Sequence, residues 1–182
     1  MNPVPIYYDE KYIKSGDLLK DKVAIITGGD SGIGRAVAIA YAYQGADIVI
    51  VYYNEKKDAE DTKKLIEATG RKCSIYSGDI SDVTFCSSVI ENVIKEHGKI
   101  DILVNNFGTT DAQKDKNLVD GDTDTFFDTV NTNLKSVYLP CKAVVPYMIE
   151  NGGGSIINIS TIGSIVPDLG RLGYVVSKSG VN

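Results

Sequence analysis

The strand-like run Lys22–Thr27 (KVAIIT) passes directly into a glycine-rich turn, Gly28-Gly29-Asp30-Ser31-Gly32-Ile33-Gly34, and then into a segment with helical spacing of apolar residues. No other stretch restricts the fold so tightly. The β-branched run suits a strand buried on both faces, and such strands belong to parallel sheets covered by helices. Ile33, Val37, Ile39, Ala40 and Tyr43 form the stripe of a helix from Gly32 to Gln44, which Gly45 ends. In the turn, Gly28 can take dihedrals closed to other residues, Gly32 lets backbone approach a pyrophosphate, and Gly34 permits close packing of helix on strand. A helix opening near Gly32 offers free N–H groups and a positive dipole end to phosphate. A glycine turn between a strand and a helix is the setting that a dinucleotide-binding motif requires.

The same alternation continues along the chain. Strands are expected at Asp47–Tyr53, Lys72–Ser77, Ile100–Val104 and Ser155–Ile159. Helices are expected at Asp58–Thr69, Val83–His97 and about Asp124 to Ile149, the last distorted by Pro140 and Pro146 and stopped by Gly152-Gly153-Gly154. Strands alternating with helices across short turns predict a doubly wound parallel sheet with helices on both faces, an α/β fold. Residues 21–182 form this one domain. Met1–Lys20, with its prolines and tyrosines, reads as an arm lying on the body or on a partner subunit.

Composition excludes several classes. Nineteen basic against twenty-four acidic residues give a net charge of −5, which argues against nucleic-acid or anionic-membrane partners. The acidic residues between Asp111 and Asp128 read as a solvated loop and helix start. Cys73, Cys86 and Cys141 are an odd number with no close pair, as expected of buried thiols in a reducing cytoplasm. His97 is the only histidine, and no ligand spacing suggests a metal. With no bilayer-length apolar run and no leader, a soluble cytoplasmic protein is expected.

Near the carboxy end, Tyr174-Val175-Val176-Ser177-Lys178 sets a phenol and an ammonium one helical turn apart on one face. A phenol beside a cation can exchange protons with an alcohol or ketone. A dinucleotide loop combined with such a proton donor predicts a nicotinamide-dependent alcohol/ketone oxidoreductase.

These motifs, with Asp79-Ile80 after the third strand and Asn105-Asn106-x-Gly108 after the fourth, fall in the order and spacing of the short-chain dehydrogenase/reductase family, which the chain resembles from about Leu19 to Asn182. The resemblance implies a three-layer Rossmann-like fold, a nicotinamide cofactor and a dimer or tetramer. The arm and glycine loop resemble bacterial stress-type reductases. Asp115–Leu118, Gly121–Asp124, Ser136–Pro140 and Gly152–Pro167 are more similar to clostridial 7α-hydroxysteroid dehydrogenases, which implies a bile-acid substrate. Family members continue well beyond the position of Asn182, so the domain is expected to be truncated at its C-terminus. A chain of this extent is expected to leave a sheet edge unpaired, and an aldehyde, sugar or 3-oxoacyl substrate, or a non-catalytic cofactor-binding fragment, remain alternatives.

By the resemblance, Tyr174 is the general acid or base, and Lys178 holds the nicotinamide ribose and lowers the phenol's pKa. The family's serine, thirteen residues before the tyrosine, is Thr161 here, with neighbouring Ser160 as the alternative. Asn133 matches an asparagine that holds a relay water, with Asn131 as a competitor. Thr27, Gly28, Asp30, Ser31, Gly32, Ile33, Gly34, Tyr53, Asp79, Ile80, Asn105 and Gly108 join Tyr174 and Lys178 around the cofactor. Asp79 would accept from the adenine amino group, with Ile80 against the ring. Asn105 serves either as a tie between strands or as a cofactor contact. Phe107 replaces the usual alanine and is expected to reshape the nicotinamide or substrate wall. At the end of the second strand stand Tyr52, Tyr53 and Asn54, neither an acid for the ribose nor a base for a 2′-phosphate, so NAD and NADP remain equally open.

Overall fold

The computed structural model describes residues 5–9, 11, 14–166 and 170–182. Part of the expected arm (residues 1–4, 10, 12 and 13) and the Pro167 end of the steroid-type stretch lie outside the described residues. The strands are β1 (Val23–Thr27), β2 (Asp47–Tyr52), β3 (Cys73–Ser77), β4 (Ile102–Asn105) and β5 (Ser155–Asn158). The helices are α1 (Gly32–Tyr43), α2 (Lys56–Glu67), α3 (Val83–His97), α4 (Thr123–Glu150) and α5 (Leu172–Ser179).

All strand pairs are parallel, in the order β3-β2-β1-β4-β5. The chain winds outward from β1 through β3, then returns past β1 to lay down β4 and β5. This reversal between β1 and β4 is the switch point at which doubly wound sheets open a crevice. The register pairs Thr27 with Val51 and Ile26 with Val104, so the carboxyl ends of the three central strands finish level around it.

Two apolar layers hold the sheet. On one face Ile25, Val49, Val51 and Leu103 meet Val89 and Val93 of α3 and Val144 of α4. On the other, Ile26, Ile48, Ile50 and Val104 meet Ala38 and Ala42 of α1 and Ala59 and Ile66 of α2. Small alanines on α1 let that helix lie close to the strands. Each large side chain buried here contributes about 1.5–3 kcal/mol.

Several boundaries differ from expectation. β4 starts two residues later than Ile100, because Asp101 turns its carboxylate back to Val23 N and the Lys22 ammonium. Helix α2 begins at Lys56, earlier than Asp58. Helix α4, by contrast, runs through Pro140 and Pro146 as the single long helix expected there. Strand β5 is exposed at all four residues, unlike the fully buried β1, and among the described residues nothing pairs with its outer edge.

The described part of the arm rests on α1. The Arg35 guanidinium lies 4.6 Å from the Tyr7 ring centroid, Tyr8 stacks on Tyr43 at 4.7 Å, and the Gln44 amide donates to Lys14 O. Cys73 and Cys86 are buried, Cys141 is half-buried, and all three are free. No helix among the described residues is long and apolar enough to cross a membrane.

Candidate active site

The glycine turn is built for close approach. Gly28 has φ +64° and Gly32 φ +52°, left-handed values that side chains disfavour. A Cβ on Gly34 would land on the Gly28 carbonyl oxygen, so α1 can sit against the turn only with glycine there. A Cβ on Gly32 would meet nothing within 4 Å, leaving its face open. Ser31 occupies the N-cap of α1, yet its side chain makes no capping bond, so the first-turn N–H groups keep their need for an acceptor. Ile33 stands 62% exposed beside them.

What stiffens the turn was not apparent from its sequence. Arg35, buried in α1, donates through Nε and Nη2 to Asp30 O, and the Thr62 hydroxyl donates to the same carbonyl. Asp30 thus serves the turn through its main chain. Thr27 does not face the crevice. Its buried hydroxyl accepts from Asn106 N (3.1 Å) and Phe107 N (3.0 Å), while the Asn106 amide donates to Thr27 O and Gly28 O. These bonds lock the ends of β1 and β4 together.

Gly28, Tyr53, Asp79 and Ile80 come together, lining a crevice with Val51, Tyr52, Gly78 and Phe107. Tyr53 is 62% exposed at its rim. Oδ1 of Asp79 accepts from Ser81 N and the Ser81 hydroxyl, which fixes the carboxylate's orientation. Phe107 lines this crevice with Tyr53 and Asp79, and it packs against the core. Asn105 is a tie: its amide donates to Asn158 Oδ1 of β5 and to Cys141 Sγ of α4, while its buried Oδ1 has no partner among the described residues.

Helix α5 delivers Tyr174 and Lys178. Lys178 is only 3% exposed, and its ammonium donates to Ile159 O (2.9 Å) and Phe107 O (3.4 Å) at the ends of β5 and β4. Burial pulls its pKa below the ordinary lysine range. Its Nζ lies 5.9 Å from the Tyr174 ring centroid, and the Arg171 guanidinium carbon lies 5.6 Å from the same centroid. A Cβ on Gly108 would come within 2.8 Å of the Lys178 Nζ, so Gly108 makes room for the ammonium.

The two hydroxyl candidates are differently engaged. Ser160 Oγ donates to Lys178 O at 2.9 Å, which ties β5 to α5. Thr161 Oγ1 accepts only a long bond from Gly163 N at 3.4 Å. The buried Asn133 accepts from Thr109 N through Oδ1 and donates through Nδ2 to Thr109 O and Ser177 Oγ. Both of its N–H groups are therefore committed to protein. Asp115, expected in a solvated loop, is instead buried against the start of α5.

Comparison with known proteins agrees with this geometry. The short chain dehydrogenase family model matches residues 22–182. General stress protein 39 of Bacillus subtilis is 43% identical over 182 residues, covering 100% of this chain and 62% of that protein. The 7α-hydroxysteroid dehydrogenase of Clostridium sardiniense is 46% identical over 164 residues, covering 90% of this chain and 62% of that protein. The chain thus spans about three fifths of the length of these relatives. A crystal structure of a short-chain dehydrogenase/reductase from Burkholderia xenovorans superposes with a TM-score of 0.83 at 30% identity, over 90% of this chain and 66% of that one. A glycine turn at the switch point, a buried lysine one helical turn after a tyrosine, and a family match from Lys22 to the last residue have one reading: the chain belongs to the short-chain dehydrogenase family.

Proposed function

We propose that the complete protein interconverts a secondary alcohol and a ketone with NAD or NADP, and that its substrate is the 7α-hydroxyl of a bile-acid steroid. The residues fit the dinucleotide: Gly32 is open, α1 has no side-chain cap, and Tyr53, Asp79 and Ile80 share one crevice at the switch point. When bound, the nicotinamide supplies hydride to the carbonyl carbon or accepts it from the alcohol.

The observation that carries the reading is the buried Lys178 ammonium beside the Tyr174 ring. In reduction the Tyr174 hydroxyl gives its proton to the carbonyl oxygen, and in oxidation the phenolate takes one back. The ammonium beside the ring is held out of bulk water, where its field is screened less than in solvent. Lys178 has three N–H donors, and the two carbonyls engage two of them, leaving one for a ribose hydroxyl. Thr161, whose hydroxyl donates to no protein group among the described residues, orients the substrate oxygen, while Ser160 is occupied with Lys178 O. Asn133 acts by bracing Thr109 against Ser177, and its amide has no N–H left for a relay water.

Similarity to the clostridial steroid dehydrogenase supports the steroid substrate. A second reading, reduction of another carbonyl compound, is favoured by the match to the Bacillus stress protein, which runs through the arm as well. The family likeness extends the proposal to a cytoplasmic dimer or tetramer. The test is to assay the complete protein with NAD⁺ or NADP⁺ and cholate, beside a panel of sugars, aldehydes and 3-oxoacyl thioesters. Oxidation of cholate at its 7-position supports the steroid reading. Turnover of the panel without cholate selects the second reading, and silence on all of them defeats both.

A further inference from the structure

The catalytic helix has no cap of its own. Arg171 at its N-cap position makes no side-chain capping bond. The first N–H groups of α5 are satisfied by a loop far away in sequence: Leu172 N donates to Lys116 O (3.2 Å), Gly173 N to Asp115 Oδ1 (2.8 Å) and Tyr174 N to Asp115 Oδ2 (2.9 Å). The Thr110 hydroxyl donates to the same Oδ2 at 2.6 Å, and Asp115 is 2% exposed. Gly173 admits the carboxylate, since a Cβ there would come within 3.2 Å of Asp115 Oδ1 and of the Phe126 backbone. The other end of the loop is fixed where Thr109 and Asn133 exchange two hydrogen bonds.

We propose that Asp115 is a positioning residue for the proton-transfer step, holding Tyr174 at its height and rotation by capping α5 from the loop between β4 and α4. The inference rests on the reading of Tyr174 as proton donor. One carboxylate fits this position because it accepts several N–H bonds at once and favours the positive end of a helix. Tyr174 is only the third residue of α5, so the first-turn bonds set the position of its Cα directly. Lys178, one turn deeper, is held independently by Ile159 O and Phe107 O. Loss of Asp115 therefore moves the phenol relative to the ammonium and leaves the nucleotide crevice intact.

The experiment compares the complete protein with its Asp115→Ala and Asp115→Asn variants by steady-state kinetics, cofactor binding through nicotinamide fluorescence, and backbone hydrogen exchange. Asp115→Ala is expected to lower kcat by about thirtyfold, in keeping with displacement of a catalytic group by a fraction of an ångström. Cofactor Kd is expected to stay within about twofold, and amides 173–176 to exchange about tenfold faster, as for loss of a cap. Asp115→Asn keeps an acceptor for Gly173 N and recovers part of kcat. A kcat within about threefold of wild type for Asp115→Ala overturns the proposal. So does a loss that Asn does not relieve and that comes with faster exchange throughout β1–β4, the mark of a merely structural residue. If the wild-type protein turns over no alcohol or ketone, the reading of Tyr174 fails separately. The exchange data then still decide the capping: acceleration confined to 173–176 upholds it, and unchanged exchange overturns it.

Discussion

Gly108 and Lys178 can be understood only as a pair. The glycine leaves the space that the ammonium fills, within 2.8 Å of where a Cβ would stand. Gly108→Ala is expected to push Nζ off the Ile159 carbonyl and lower kcat with little change in stability, measured by kinetics beside thermal melts. Tyr174→Phe removes the proposed proton donor and nothing that packs, so kcat of the complete protein is expected to fall by about 10²–10⁴ with unchanged cofactor Kd. Burial pushes the Cys73 thiol up to about 12 and the Cys86 thiol up to about 11, so both are expected to resist a thiol reagent at pH 8 until the chain is unfolded. The glycine turn and the placement of Tyr174 and Lys178 on one helix were legible in the sequence because local spacing carries them. Thr27, Asn106 and Asp115 were not. Their partners lie up to 80 residues away, and a hydroxyl or carboxylate does not announce which distant N–H it will meet.

At the scale of elements, β1 and β2 were the most legible, since uninterrupted β-branched runs buried on both faces have few other homes. Ile50, fully buried between β2 and the α1–α2 layer, tests this directly: Ile50→Ala is expected to cost about 2–5 kcal/mol in denaturant melts. Helix starts were less legible. The apolar stripe of α2 places its interior but not its first residue, because Glu55 at its N-cap provides no side-chain cap to mark the start. By contrast, α3 and α4 begin where Asp82 and Asp122 cap Phe85 N and Thr125 N, and there the expected boundaries fall on or beside the observed ones. The course of α4 through two prolines, with Pro140 itself buried, is that of the single long helix the spacing predicts.

For the whole molecule, the two ends of the sheet do different work. The carboxyl ends carry the crevice, while at the amino ends Asp101 gathers Val23 N, Lys22 and Lys99. Burial opposes the Asp101 charge, but these donors outweigh it and hold its carboxyl below the usual range. A carboxylate with a folded pKa below its unfolded value stabilises above the unfolded pKa, near 3.9, and that contribution is lost as pH falls through the folded one. Asp101→Asn is therefore expected to be less stable than wild type at pH 7 and to lose less stability between pH 4 and pH 2, read from denaturant midpoints at each pH.

The division of labour along the chain has a consequence for its synthesis. Every lining residue of the crevice lies at or before Phe107, whereas Tyr174 and Lys178 arrive on α5. A polypeptide emerging from the ribosome thus presents every lining residue of that crevice while Tyr174 and Lys178 are still untranslated.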